Sequence, residues 1–184
     1  MEATYIETQQ ISFQDFKKNV LEDYKIGRIS REMSYLGRRE VLTGKAKFGI
    51  FGDGKELPQL AMAKVFKNGD FRSGYYRDQT FALVVNAVSV ESFFAQLYAN
   101  TNVEREPASA GRQMNGHYAT RSLNKDGSWK NLMNQKNISS DISPTAGQMP
   151  RLLGLAQASK IYKSVKFEGS EKFSNGGNEI AFGT

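Results

Sequence analysis

Gly74-Tyr75-Tyr76-Arg77-Asp78 is the stretch on which the reading of this chain turns. Asn68-Gly69-Asp70 just before it is a turn signal, and Phe81, Ala82, Leu83, Val84 and Val85 after it form a strongly apolar run. The pentapeptide is therefore expected where a loop enters a helix, with two phenols and a guanidinium beside a glycine. A guanidinium is a rigid, always-charged fork for phosphate oxygens. A tyrosine offers a flat apolar face with a polar tip. The set suits a planar ring that carries a phosphate. Taken alone, the five residues read more readily as a surface Arg77–Asp78 pair beside a core aromatic.

Upstream, residues 1–11 form a polar lead-in. Ser12 opens a helix with Asp15 three residues on, close to a capping box. Phe13, Phe16, Val20 and Tyr24 recur at helical spacing, and Gly27 is expected to close the segment. A second helix is expected from Ser30 to about Thr43, stopped by Gly44, with Arg31, Arg38 and Arg39 on a solvated face. Residues 49–54 hold three glycines in six positions, so this loop takes unusual backbone conformations or approaches something closely. Phe48 and Phe51 flank that flexible backbone. Lys55 to Phe66 reads as helical, with Pro58 tolerable in the first turn.

Downstream, an apolar helix is expected over 79–87, and Ser89 caps another, with Glu91 in its first turn. Residues 100–143 are polar and rich in Gly, Asn and Ser, which argues against regular structure and for a functional or disordered loop. That loop holds the sole histidine, His117, and the sole tryptophan, Trp129. No second ligand stands at metal-site spacing from His117. Ser143-Pro144 starts the next helix, with proline at the first helical position. Its many apolar residues, Leu152 to Tyr162, predict burial in a large protein. Glu179 to Thr184 reads as one β-strand, and a lone strand cannot stand by itself.

A chain of 184 residues is long enough for one domain with a real core. With 39% hydrophobic and 24% charged residues it falls in the globular class, not the disordered one. No apolar run reaches the ~18 residues of a membrane span, and the first residues lack the basic and apolar regions of a secretory signal. Absence of cysteine excludes a disulfide framework and a thiolate site, which fits a cytoplasmic protein. The net charge of +6 is dispersed, and that argues against nucleic acid as a partner.

Three segments together resemble the α-subunit of thiamine-diphosphate-dependent 2-oxo-acid dehydrogenases of the branched-chain (2-oxoisovalerate) type. Tyr76-Arg77-Asp78 matches the family's Tyr-Arg-Asp signature, and Gly111 to His117 matches its Gly-Arg-Gln-Met-x-x-His loop. Ser143 to Pro150 matches its Ser-Pro-x-Ala-x-Gln-x-Pro helix start. Order and spacing agree over roughly residues 30–184. The resemblance implies an α/β thiamine-diphosphate-binding fold whose N-terminal portion is mostly helical, with the first sheet strand at the C-terminal end. It implies a helical extension over 1–29 and the first part of the cofactor domain over 30–184.

The resemblance also implies a function and a set of site residues. Tyr76 and Arg77 would contact the cofactor diphosphate, as would Ser143 and Thr145 at a helix start whose free N–H groups suit an anion. Phe48 would line the substrate pocket, and Tyr75 beside it. The activity implied is oxidative decarboxylation of a 2-oxo acid, with the acyl group passed to a lipoyl arm on an acyltransferase in a multienzyme complex. A β-subunit or fused β-part would supply the carboxylate that activates the cofactor, in an oligomer. Magnesium ligands would follow Thr184. Gly52-Asp53-Gly54 resembles the opening of the magnesium motif but precedes a helix in the wrong part of the chain, so no metal ligand is assigned here. Ile142 and Gly147 replace two hydroxyl residues of the potassium site found in animal relatives, and residues 121–140 are longer than in the family. The alternatives are a non-catalytic helical interaction domain and a truncated fragment of such an enzyme.

Overall fold

A computed structural model describes residues 11–184. Residues 1–10 of the lead-in and of the 1–29 extension lie outside the described residues. The chain is mixed α/β, with five α-helices and a small three-stranded parallel sheet among the described residues.

The first helix, α1, spans Phe13–Leu42 without a break. Ser12 caps it, its hydroxyl accepting from the Asp15 amide at 3.1 Å. The expected stop at Gly27 does not occur. A mid-helix glycine costs only ~1 kcal/mol, and the helix runs through Gly27, which faces Leu60 of the next helix at ordinary contact distance. The buried stripe of α1 is Ser30, Met33, Ser34, Gly37 and Glu40, small and polar because neighbours come close. The Phe51 ring occupies the space a side chain on Gly37 would need. Arg31 and Arg38 are not simply solvated. Arg31 grips Glu56 with two 2.7 Å bonds, and Arg38 pairs with Asp53 at 2.7 Å. Together they fasten the glycine loop and the next helix to α1.

Helix α2 runs Glu56–Val65, α3 Gln79–Val84 and α4 Val90–Leu97. Ser89 and Ser92 form the capping box that opens α4. Gln79 ties α3 to α1 by donating to the Ser30 carbonyl and the Ser34 hydroxyl, both at 2.9 Å. One core cluster (Met33, Phe51, Phe93, Leu97, Tyr118) sits under α1 and α4, and a second (Ala63, Phe66, Phe81, Ile138) joins α2 and α3 to the sheet.

The sheet corrects the expectation that its first strand lies at the C-terminal end. β1 is Phe71–Tyr75, β2 is Asn137–Ile142 and β3 is Ala181–Gly183, in the order β2-β1-β3. β1 is central, and the C-terminal strand is an edge. Phe71 faces Asn137 on one side and Ala181 on the other, and the register slips between Ser73 and Tyr75. The pentapeptide thus begins in a strand and ends at the start of α3. Buried parallel strands ordinarily read as apolar runs. β1 and β2 carry Arg72, Ser73, Ser139 and Asp141 instead, which hides them in the sequence.

Helix α5 begins at Gln148, five residues beyond Ser143, and runs to Ser164. Ser143 to Gly147 form a turn, with Ala146 at φ +65°. Gln148 is the one buried residue of α5 among the described residues, and Leu153 is 72% exposed. The predicted burial of this helix is therefore not met within the chain. The loop before β2 is irregular but ordered. Glu106, 1% exposed, collects bonds from the Ala108, Ser109 and Gly111 amides and the Ser109 hydroxyl. Burial opposes its charge, yet these donors outweigh it and hold its carboxyl below the usual range. Trp129 is half-exposed and packs edge-on against Phe173 at 5.2 Å.

Candidate functional site

The carboxyl ends of β1 and β3 meet the turn before α5. Tyr75 ends β1, and its phenol lies 2.7 Å from that of Tyr76, with ring centroids 4.0 Å apart. Tyr76 stacks on the His117 ring at 6.4 Å, and the Arg77 guanidinium lies over the Tyr76 ring at 5.7 Å. The Tyr76 phenol, followed by the Thr145 hydroxyl and the Arg77 and Lys55 charges, holds the Tyr75 phenol below its ordinary range despite partial burial. Tyr76 is pushed the other way, by Tyr75 first and burial second.

Asp78 does not pair with Arg77 at the surface. It is 6% exposed and binds Arg72, the Tyr75 amide (3.1 Å), Gln59 (3.3 Å) and the Thr184 hydroxyl. Arg72 is 1% exposed and also pairs with Asp141 at 3.1 Å. The Arg72 side chain lies along β1 over Gly74, in the space any side chain there would fill. Glycine at 74 is thus required by a buried arginine two residues back. Asp141 accepts from the Tyr118 amide at 3.1 Å. Burial pushes Asp141 up to about 7, against the Arg72 charge and that amide bond. Burial also raises the Tyr118 phenol, which has no partner.

With Asp78 committed to Arg72, Arg77 pairs with no carboxylate among the described residues. Its Nε is buried with no hydrogen-bond partner. The Arg77 carbonyl accepts from Gln59 at 3.1 Å and packs where a Cβ on Gly52 would stand, so the glycine loop does approach something closely.

On the other side, Ser143 Oγ is 2.6 Å from His117 Nε2. Thr145 lines a cavity of about 350 Å³ with Lys55, Gln59, Met62, Tyr75 and Gln148. Gln148 donates to the Thr184 carbonyl at 2.5 Å, while its Oε1 is buried without a partner. The Thr145 and Ala146 amides donate to no backbone carbonyl among the described residues, so the turn offers free N–H groups toward an anion.

The structure therefore gathers Tyr75, Tyr76, Arg77, Ser143 and Thr145. Phe48 stays apart from them: its ring is half-exposed on the loop whose Ile50 pairs with Asn115. Lys55 escaped sequence reading because a lone cation at a helix start carries no motif, whereas Gln148 is the glutamine of the Ser-Pro-x-Ala-x-Gln-x-Pro match. His117 was visible as the sole histidine, but its serine partner stands 26 residues away. Asp53 of the Gly-Asp-Gly triplet spends its carboxylate on Arg38. Among the described residues no three His, Asp or Glu side chains form a metal-holding group, and no helix is long and apolar enough to cross a membrane.

No protein-family model matches this chain, and no curated protein is significantly similar to it.

Proposed function

We propose that this chain forms the diphosphate-binding part of a thiamine-diphosphate-dependent 2-oxo-acid dehydrogenase of branched-chain type, with the corresponding fold. The observation that carries this reading is the Arg77 guanidinium, which pairs with no carboxylate among the described residues, has a buried Nε without a partner and lies over the Tyr76 ring. A buried donor without a partner costs ~1–3 kcal/mol, and a diphosphate oxygen would satisfy it. When bound, the cofactor supplies the electron sink for decarboxylating a 2-oxo acid. Arg77 and Lys55 would hold diphosphate charge, and the Thr145 and Ala146 amides and Ser143 would donate to its oxygens. The Tyr75–Tyr76 pair would wall the ring side and shed water. A β-part, a lipoyl-bearing acyltransferase, magnesium and a cytoplasmic setting belong to the same proposal.

Calorimetry with thiamine diphosphate and magnesium tests it. Arg77→Ala is expected to weaken binding by about 1.5–3 kcal/mol, as for hydrogen bonds to charged groups. Unchanged affinity, or no binding, in the complete enzyme with its β-part sinks the assignment. A second reading, a non-catalytic helical interaction domain, draws on the exposed apolar side chains of α1 and α5, such as Phe13 and Leu153. Intact folding without any cofactor binding would favour it.

A further inference from the structure

His117 Nδ1 faces two groups that can only accept, the carbonyls of Met114 at 3.1 Å and Asn115 at 3.3 Å. The Nδ1 position therefore carries the hydrogen of the neutral ring, and Nε2 is left as an acceptor. The group 2.6 Å from Nε2 is the Ser143 hydroxyl, so that hydroxyl spends its single proton on His117. The ring is fixed in this pose. Gln96 on α4 exchanges two bonds with the His117 backbone, at 2.9 and 3.2 Å, and Tyr76 stacks on its face.

This creates a conflict at the anion site proposed above, on which the inference rests. A serine whose proton is held by a neutral imidazole presents only lone pairs to an incoming phosphate oxygen. A protonated imidazole reverses the bond. It donates from Nε2 to Ser143 Oγ and frees the hydroxyl proton for the anion. We propose that His117 is a positioning residue for Ser143, and that anion binding at this turn draws one proton from solvent onto His117 Nε2. No covalent bond between heavy atoms changes; one proton moves and one hydrogen bond turns around. The other ionisable groups around the ring are the Tyr75–Tyr76 phenol pair and the Arg77 guanidinium from the β1–α3 turn. Behind the loop, Asp141 of β2 is committed to Arg72 and the Tyr118 amide.

The sole histidine of the chain makes the test direct. Imidazole ¹⁵N spectra of the free chain at pH 8 should show the Nδ1–H form, and an Nε2–H form would overturn the proposal. Sulfate is the probe for binding, because its charge is constant from about pH 5 to 9, across which histidine ordinarily titrates. Sulfate should bind about tenfold or more tightly at pH 6 than at pH 8, with the bound imidazole doubly protonated, as one coupled proton requires. His117→Gln supplies an amide donor to Ser143 at every pH, and its affinity should be equal at both. Ser143→Ala should bind weakly and without pH dependence. A flat profile for the native chain overturns the role of His117 while leaving the anion site standing. No sulfate binding at either pH overturns the anion site itself.

Discussion

The two ends of the parallel sheet carry cavities of opposite character. The cavity at the amino ends is the larger, about 640 Å³, and is lined by Lys67, Asp70, Tyr162, Ser174 and Glu179 among others. Two of its three carboxylates, Asp70 and Glu179, are tied down, and Glu171 is the third. Asp70 accepts from the Lys67 and Ile180 amides, both at 2.9 Å. Glu179 accepts from the Ser159 and Ser174 hydroxyls at 2.6 Å and the Asn175 amide at 2.9 Å. The cavity at the carboxyl ends is about 350 Å³, yet its lining includes Gln148, whose Oε1 is buried without a partner, and Thr145, whose amide donates to no backbone carbonyl among the described residues. Buried polar atoms without a partner, not volume, separate a place that is built from a place that waits for a ligand. The carboxyl end is also where open parallel sheets bind ligands in general.

The strongest way to break this contrast is beneath the carboxyl end. Arg72→Ala leaves Asp78 and Asp141 buried with their common cation gone, and should cost about 3–5 kcal/mol in denaturant unfolding. A loss below about 1 kcal/mol, the scale of an exposed pair, would show that the buried pairs do not hold the site together. The pH dependence comes next. An unfolded aspartate titrates near 3.8, and the folded Asp141 is pushed up to about 7. Between these values the folded chain keeps a proton the unfolded chain has lost, so stability falls as pH rises through that window. The drop should be on the order of a few kcal/mol between about pH 4 and 7.5, and Asp141→Asn should flatten it. A native curve that rises over this range would refute the assignment.

A smaller effect sharpens the contrast from the other end. Glu179→Gln should cost about 1–2 kcal/mol of stability by weakening its three bonds, while anion affinity stays unchanged. Arg77→Ala should do the reverse: its affinity loss should come without a loss of stability, since the substitution removes a buried donor that has no partner. Equal effects on both readouts for either variant would erase the distinction between the two ends. The smallest expected change is Phe48→Ala, with negligible effect on stability and on cofactor affinity. Any effect should appear in relative catalytic efficiency across 2-oxo acids, and no change there removes Phe48 from the substrate pocket.

Local chemistry was legible where one residue decides an outcome. Ser12 and Ser89 cap helices from side-chain geometry alone, and of the glycines at 49–54, Gly52 meets the Arg77 backbone and Gly49 the Phe51 and Leu97 side chains. Order and spacing of three motifs were enough to single out Tyr76, Arg77, Ser143 and Thr145, which come together although 69 residues separate Thr145 from Tyr76. What failed to show were the strands. β1 and β2 owe their burial to charge pairing between distant positions, and hydrophobic periodicity cannot register an Arg72–Asp141 bond 69 residues long. The merging of two expected helices into α1 escaped because a lone glycine inside a helix costs too little to end it. His117 and Lys55 gain their meaning only from neighbours supplied by the fold.

Asp78 collects its donors from widely scattered parts of the chain: Arg72 and the Tyr75 amide nearby, Gln59 from α2, and Thr184 from 106 residues away. A ribosome making this chain from its amino end delivers α1, α2 and α3 long before Thr184. Helices with local contacts form quickly, whereas closures of such length come late. During synthesis Arg72 emerges without Asp141, and Asp78 without Thr184, so helical structure should precede anion binding. The pocket closes only after segments more than a hundred residues apart have both been made.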